Sequence, residues 1–135
     1  MAAAMEAGIG IFRTPATMAT TVRKIAELKA RYQQLGLRDR SHAFNTEWLQ
    51  AIELGFLLDV AEAMSHAALA RRESRGSHQR PEDFPLRDDA NFLRHSLAQQ
   101  QRGGAPDINW QDVVITRSAP GERHYGGKAA GETGT

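Results

Sequence analysis

Between Phe44 and Gly76 the chain runs for roughly thirty residues without a proline, and its apolar residues fill more than one side of any helix drawn through them. Asn45 is a good N-cap, and Phe44 and Leu49 stand at the two positions of a hydrophobic staple. The sequence therefore predicts a helix that opens at Asn45 and runs to Arg75, with Gly76 stopping it. At the α-helical rise its length would be about 45 Å. Trp48, Leu49, Ile52, Leu54, Phe56, Leu57, Leu58, Val60, Met64 and Leu69 demand cover on at least two sides. Ala61, Ala63, Ala67, Ala68 and Ala70 would let a neighbouring backbone come close. One partner helix cannot supply both covers, so a neighbour is expected to be missing.

The partner helix starts at Thr14-Pro15, a capping hydroxyl followed by a proline at the first helical position. Met18, Val22, Ile25, Leu28, Tyr32 and Leu35 recur at steps of three or four and form one apolar stripe. Glu27 precedes Arg31 by four positions on the outer side, and Gly36 is expected to end the helix in a left-handed conformation. Ahead of it, "MAAAMEAGIGIF" is a weak helix former with nothing capping its start. This reads as a chain entered partway, as an excised fragment would be.

Ser77 to Arg87 holds two prolines and no periodicity, a loop. Asp88-Asp89 would cap a short helical turn through Phe92. "LRHSLAQQQ" and "DINWQDVVIT", separated by Arg102-Gly103-Gly104-Ala105-Pro106, are expected to pair as a β-hairpin. From Ser118 onward the sequence is Gly-rich and nearly without apolar residues, the composition of a mobile tail. The expected architecture is mainly α. A helical bundle over residues 1–91, with two long antiparallel helices and a shorter one, is followed by a β-hairpin over 92–117 and a flexible tail over 118–135.

Charge and composition exclude several functions. The net charge of +1 creates no global field for nucleic acid or an anionic membrane, and the absence of cysteine removes disulfides, thiol catalysis and Cys-based metal sites. No apolar run approaches the roughly 20 residues of a membrane-spanning helix. His66, His78 and His95 with Glu73, Asp88 and Asp89 show no metal-ligand spacing. Asp88 and Asp89 are adjacent and point in different directions, so they suit a helix cap better than acid–base work. Arg71, Arg72, Arg75 and Arg80 are offset by Glu73, Glu82, Asp83, Asp88 and Asp89, and no aromatic residues interleave for base stacking. Ser74 and Ser77 lack a nucleophile elbow, and there is no GxGxxG fingerprint. No catalytic, cofactor-binding or metal-binding residue is assigned. Planar, bidentate arginines at a helix end are instead the chemistry of a docking corner, where they meet helix carbonyls and carboxylates.

"ARRESRGSHQR" followed by "RDDANFLRHSL" resembles the C-terminal region of the flavoprotein subunit of fumarate reductase and succinate dehydrogenase. "GIFRTP", "FNTEWLQAIELG", "DVVIT" and "RHYGG" fall in that family's order, so the resemblance covers nearly the whole chain. Gln79-Arg80 and the "YGG" ending lean toward the quinol-linked fumarate reductase branch. L-aspartate oxidases share a short form of the first motif. Arg72, Glu73, Ser74, Arg75, Gly76 and His78 match that motif, with Ser77 where alanine is commoner, and Arg87, Asp88, Asp89 and His95 match the second.

The resemblance implies a subunit that uses FAD to interconvert fumarate and succinate. It also implies flavin-binding and capping domains ahead of this region, iron–sulfur and membrane-anchor subunits as partners, and a peripheral place on the cytoplasmic side of the inner membrane. The matched residues are expected to brace the corner and dock it to the flavin domain or a neighbouring subunit. The chain alone is expected to be inert and to self-associate through its uncovered helix face. Two rival readings are a succinate dehydrogenase working in the oxidative direction and a free-standing helical interaction module.

Overall fold

The computed structural model describes residues 1–118 and Gly121. Its elements are α1 (Ala2–Ile9), α2 (Pro15–Tyr32), α3 (Thr46–Ala70), α4 (Asp89–Phe92), β1 (Arg94–Gln99) and β2 (Asp107–Asp112). The molecule is helical, with one two-stranded antiparallel sheet.

α2 begins as its sequence dictates. The Thr14 hydroxyl accepts from the Thr17 N–H and the Thr17 hydroxyl returns to the Thr14 N–H, closing a capping box ahead of Pro15. The helix stops at Tyr32, short of the expected Leu35, and Gly36 is not left-handed. A tight turn ends it: the Gln34 and Leu35 N–H groups reach back to the Arg31 and Tyr32 carbonyls, which leaves no terminal role for the glycine.

α3 opens on Asn45, whose side chain accepts from the Trp48 N–H at 2.8 Å while its amide nitrogen holds the Asp39 and Ser41 carbonyls. Glu47 reaches back to the Arg38 and Asp39 N–H groups and ties the preceding loop to the helix. The expected staple does not form. Phe44 takes a left-handed backbone (φ 55°) and stands fully exposed, away from Leu49. The helix has 25 residues, so about 37 Å, and ends at Ala70 instead of Arg75. Arg71 is extended, and the Arg80 guanidinium arrives from the loop to bond the Leu69 and Arg71 carbonyls. A side chain from outside the helix supplies the cap, and Gly76 serves elsewhere.

The two long helices meet in reversed order. Met18 packs with Ala68, Lys29 pairs with Asp59 and Glu62, and the Tyr32 ring lies over Gly55. The uncapped N-terminal stretch is helical after all, as α1. Gly8 lets it approach α2, where the Thr21 hydroxyl donates to the Ala4 carbonyl at 3.1 Å. The core is small: Ile9, Met18, Ile25, Leu58, Ala61 and Ala68 are its buried apolar side chains. Asp88 caps α4 as expected, through the Asn91 N–H. The hairpin pairs Arg94 with Asp112 through to Gln99 with Asp107, and its turn places Gly103 at a φ of 75°. Apart from Ser118 and Gly121, the expected tail lies outside the described residues.

Candidate functional site

The arginine-rich stretch folds back at the C-terminal end of α3. Arg75 and His78 exchange backbone hydrogen bonds at 2.8 and 2.9 Å, enclosing a two-residue turn with Gly76 left-handed at φ 57°. The Ser74 hydroxyl donates to the Phe84 carbonyl and accepts from the Arg80 N–H, locking the returning strand against the outgoing one.

At the centre lies Glu73, whose side chain is fully buried. Its carboxylate accepts from Arg71 Nη1 at 2.6 Å, Arg75 Nε at 2.9 Å, Arg75 Nη2 at 3.0 Å and the Asp88 N–H at 3.0 Å. Burial works to raise its pKa, but the bonds from Arg75, Asp88 and Arg71 prevail and hold it below the usual glutamate range. Arg75 continues to Asp89, which Arg87 also holds at 2.7 Å. Arg71 reaches the Phe92 and Arg94 carbonyls and the Ser96 hydroxyl, and its guanidinium stacks 5.0 Å from the Trp110 ring centroid. That one side chain joins helix, corner and hairpin.

His78 sets the other side. Its Nδ1 accepts from Arg13 Nη1 at 2.5 Å, and its Nε2–H donates to the Arg71 carbonyl at 3.2 Å. Arginine can only donate, so Nδ1 must be unprotonated and the ring neutral. Burial, then the positive charge of Arg13, pushes the His78 pKa below that of an ordinary histidine. The Arg13 segment is itself stitched on by backbone bonds from the Arg13 N–H to the Gln79 carbonyl and from the Gln79 N–H to the Ile11 carbonyl.

Of the ten residues matched to the two motifs, Glu73, Ser74, Arg75, Gly76, His78, Arg87, Asp88 and Asp89 come together here. Arg72 and His95 do not; both side chains are exposed and neither is hydrogen-bonded among the described residues. Arg71, which is not among the matched ten, is the arginine that bonds Glu73 alongside Arg75. Arg13 was not named as a site residue by the sequence; it appears there only within the family-like stretch "GIFRTP", immediately before the Thr14-Pro15 cap. Among the described residues every buried side-chain nitrogen and oxygen has a partner, so the corner is closed on itself.

Two hollows accompany the corner. One of about 260 Å³ lies among Ile9, Arg13, Met64, Ala67, Arg71 and His78, below the size of most small-molecule sites. The other, about 950 Å³, is an open groove along α2 and α3 under the hairpin turn, where Lys29 is already paired with Asp59 and Glu62. The glycines that line the groove, Gly55 within α3 and Gly103 and Gly104 at the hairpin turn, do not open a helix as a dinucleotide-binding loop does, and the corner has no spare buried donors among the described residues. The described residues do not fit a flavin seat.

Comparison with known proteins gives a consistent result. The family profile described as "Fumarate reductase flavoprotein C-term" matches residues 1–125. The flavoprotein subunit of Proteus vulgaris fumarate reductase is 52% identical over 98% of this chain, which covers 22% of that protein. The succinate dehydrogenase flavoprotein subunit of Rickettsia conorii is 32% identical over 83% of the chain and 19% of the relative. A solved chain of Escherichia coli quinol fumarate reductase superposes with a TM-score of 0.86 at 49% identity, covering 94% of this chain and 22% of that one. The chain thus spans about a fifth of the length of the relatives it matches.

Proposed function

The chain belongs to the fumarate reductase flavoprotein C-terminal family, and from that premise we propose that it is a supporting and docking domain that contributes no reacting group. In the complete subunit, FAD is held by the flavin-binding and capping domains and passes electrons between fumarate and succinate. Quinol-linked fumarate reduction is favoured over succinate oxidation by the higher identity to the fumarate reductase relative. The partners are those two domains, then the iron–sulfur and membrane-anchor subunits of a complex on the cytoplasmic side of the inner membrane. No helix among the described residues is long and apolar enough to cross a membrane, and the proposed attachment is peripheral.

The observation that carries the reading is the buried Glu73 with its converging arginines. A fully satisfied ionic cluster has no group free for proton transfer or ligand binding, and it fixes the shape of the end that the family motifs mark. Arg72, Arg87, Asp89 and His95 face outward around it and are proposed to meet the neighbouring domain or subunit.

The test joins this chain to the preceding four-fifths of the Proteus vulgaris subunit and follows flavin absorbance and fumarate reduction by a reduced dye. The joined protein should retain flavin and turn over, Arg75→Ala should lower the flavin-loaded yield, and the 135-residue chain alone should do neither. Flavin binding or turnover by the chain alone, or a joined protein without flavin, would refute the reading.

A further inference from the structure

The chain's start and its arginine turn meet along one short seam. The Arg13 N–H donates to the Gln79 carbonyl at 2.8 Å, and the Gln79 N–H donates to the Ile11 carbonyl at 3.0 Å. Beside these backbone bonds the Arg13 guanidinium meets the buried His78 ring. The elements on either side hold themselves without the seam. α1 is fixed to α2 by the Thr21 hydroxyl and the close approach of Gly8, α2 starts on its own capping box, and the turn is locked through the Ser74 hydroxyl. None of those contacts contains a titratable side chain; the seam does.

The charged groups that face His78 are all positive. Arg13 comes from the linker between α1 and α2, Arg71 from the end of α3 and Arg80 from beyond the turn. The other elements around the ring present Ile9, Met64, Ala67, Ala68 and Ser96, none of which titrates. Glu73 and Asp83 are turned to Arg71 and Arg80, and Arg75 across the turn is spent on Glu73 and Asp89. No carboxylate lies within salt-bridge distance of His78 among the described residues. A proton on Nδ1 would face Arg13 Nη1 at 2.5 Å, donor against donor and cation against cation. Arg13 does not swing aside while the seam is closed, because the Gly10 carbonyl holds its Nε at 2.7 Å. Turning the ring over exchanges its nitrogens and keeps the conflict. Burial first, then Arg13, hold the His78 pKa below the ordinary histidine value.

We propose that His78 is a proton-operated latch: neutral, it locks the Ile11–Arg13 stretch to the arginine turn, and protonated, it releases that stretch while the helices, the Ser74 lock and the hairpin stay in place. The latch decides whether the corner is joined to the chain's start. It needs no docking partner and stands apart from the proposed docking role. Its sign follows from linkage. The released state takes up a proton that the closed state refuses, so release grows as pH falls from the ordinary histidine value, about 6.5, toward the depressed one. Within that window each pH unit favours release by up to about tenfold. Glu73, Asp88 and Asp89 are held below the usual carboxylate values and stay charged there.

Amide hydrogen exchange in the isotope-labelled 135-residue chain tests this, read by NMR from about pH 7.5 to about pH 5 and normalised to unstructured rates at each pH. Protection at the Arg13 and Gln79 N–H groups, the seam's own donors, should fall about tenfold per pH unit below about 6.5. The Ser74 N–H, bonded to the Leu86 carbonyl, and the amides of α2 and α3 should keep theirs. His78→Asn sets an acceptor oxygen near the place of Nδ1 with no proton to gain, and protection should become flat with pH. Arg13→Gln offers a neutral amide that donates or accepts, so the pH slope should shrink even where protection is lower throughout. Absent or pH-independent protection at the two seam amides in wild type overturns the proposal. An equal loss at Ser74 and in α2 overturns it too, since the whole fold is then opening. So does a wild-type slope that survives in either variant. If His78→Asn does not fold, the wild-type ring signals decide: a His78 that titrates at or above the ordinary histidine value ends the proposal.

Discussion

Replacing Glu73 with glutamine keeps the shape of the corner and removes its charge. The carboxylate accepts four hydrogen bonds, three from the guanidiniums of Arg71 and Arg75 and one from the Asp88 N–H. Glutamine offers one oxygen for about two of these, and its NH2 would point at groups that can only donate. Charge-assisted bonds contribute roughly 1.5–3 kcal/mol each, and breaking a buried pair costs roughly 3–5 kcal/mol. The lower end applies here, because Arg75 keeps Asp89 and Arg71 keeps the Phe92 and Arg94 carbonyls. Glu73→Gln is therefore expected to cost about 3 kcal/mol, which for a chain of this size lowers the Tm by about 10–15 °C. Urea and thermal unfolding followed by circular dichroism measure it. Acid adds a second check. The folded-state pKa lies below the unfolded one, so the carboxylate's contribution is whole above the ordinary glutamate value and is lost as pH falls through the folded value. Wild type should lose stability more steeply than Glu73→Gln below about pH 4.5. A loss under about 1 kcal/mol, the scale of a surface pair, or parallel acid profiles would refute the reasoning.

Gly8→Ala puts a Cβ 1.9 Å from Thr21 Oγ1 and 2.7 Å from the Thr17 carbonyl, both on α2. It should cost about 1–3 kcal/mol as an overpacked contact, and limited proteolysis should open α1 first. For His78 the folded state disfavours the proton, so its contribution is complete above the ordinary value and declines as pH falls below about 6.5. His78→Asn should flatten that limb of the pH–stability profile, and an unchanged slope would show that Arg13 does not exclude the proton.

Local chemistry carried much of this fold in the sequence. The Thr14-Pro15 start, the Asn45 and Asp88 caps and the hairpin each follow from side chains acting within a few residues of themselves. The helix ends were less legible, because long-range groups decide them. α3 stops at Ala70 where Arg80 arrives to take its carbonyls, and no pattern along the helix announces that arrival. The same limit hid Arg13, whose partner is 65 residues away. Arg71 and Arg72 are alike by type, and only the extended backbone at Arg71 selects which one turns toward Glu73. The apolar excess of α3 was visible at once, because it is a property of the helix itself.

The strand-like pairing of Ile11–Arg13 with His78–Gln79 has a kinetic consequence. Both long helices lie between the two segments, and closing a loop of that length costs about 4 kcal/mol in chain entropy. The helical hairpin forms from nearer neighbours and is assembled earlier, so the seam between the chain's start and its arginine turn closes late. Weakening it by Arg13→Gln should leave refolding nearly as fast and steepen escape from the folded state. The turn thus governs how long the fold persists more than how quickly it is reached.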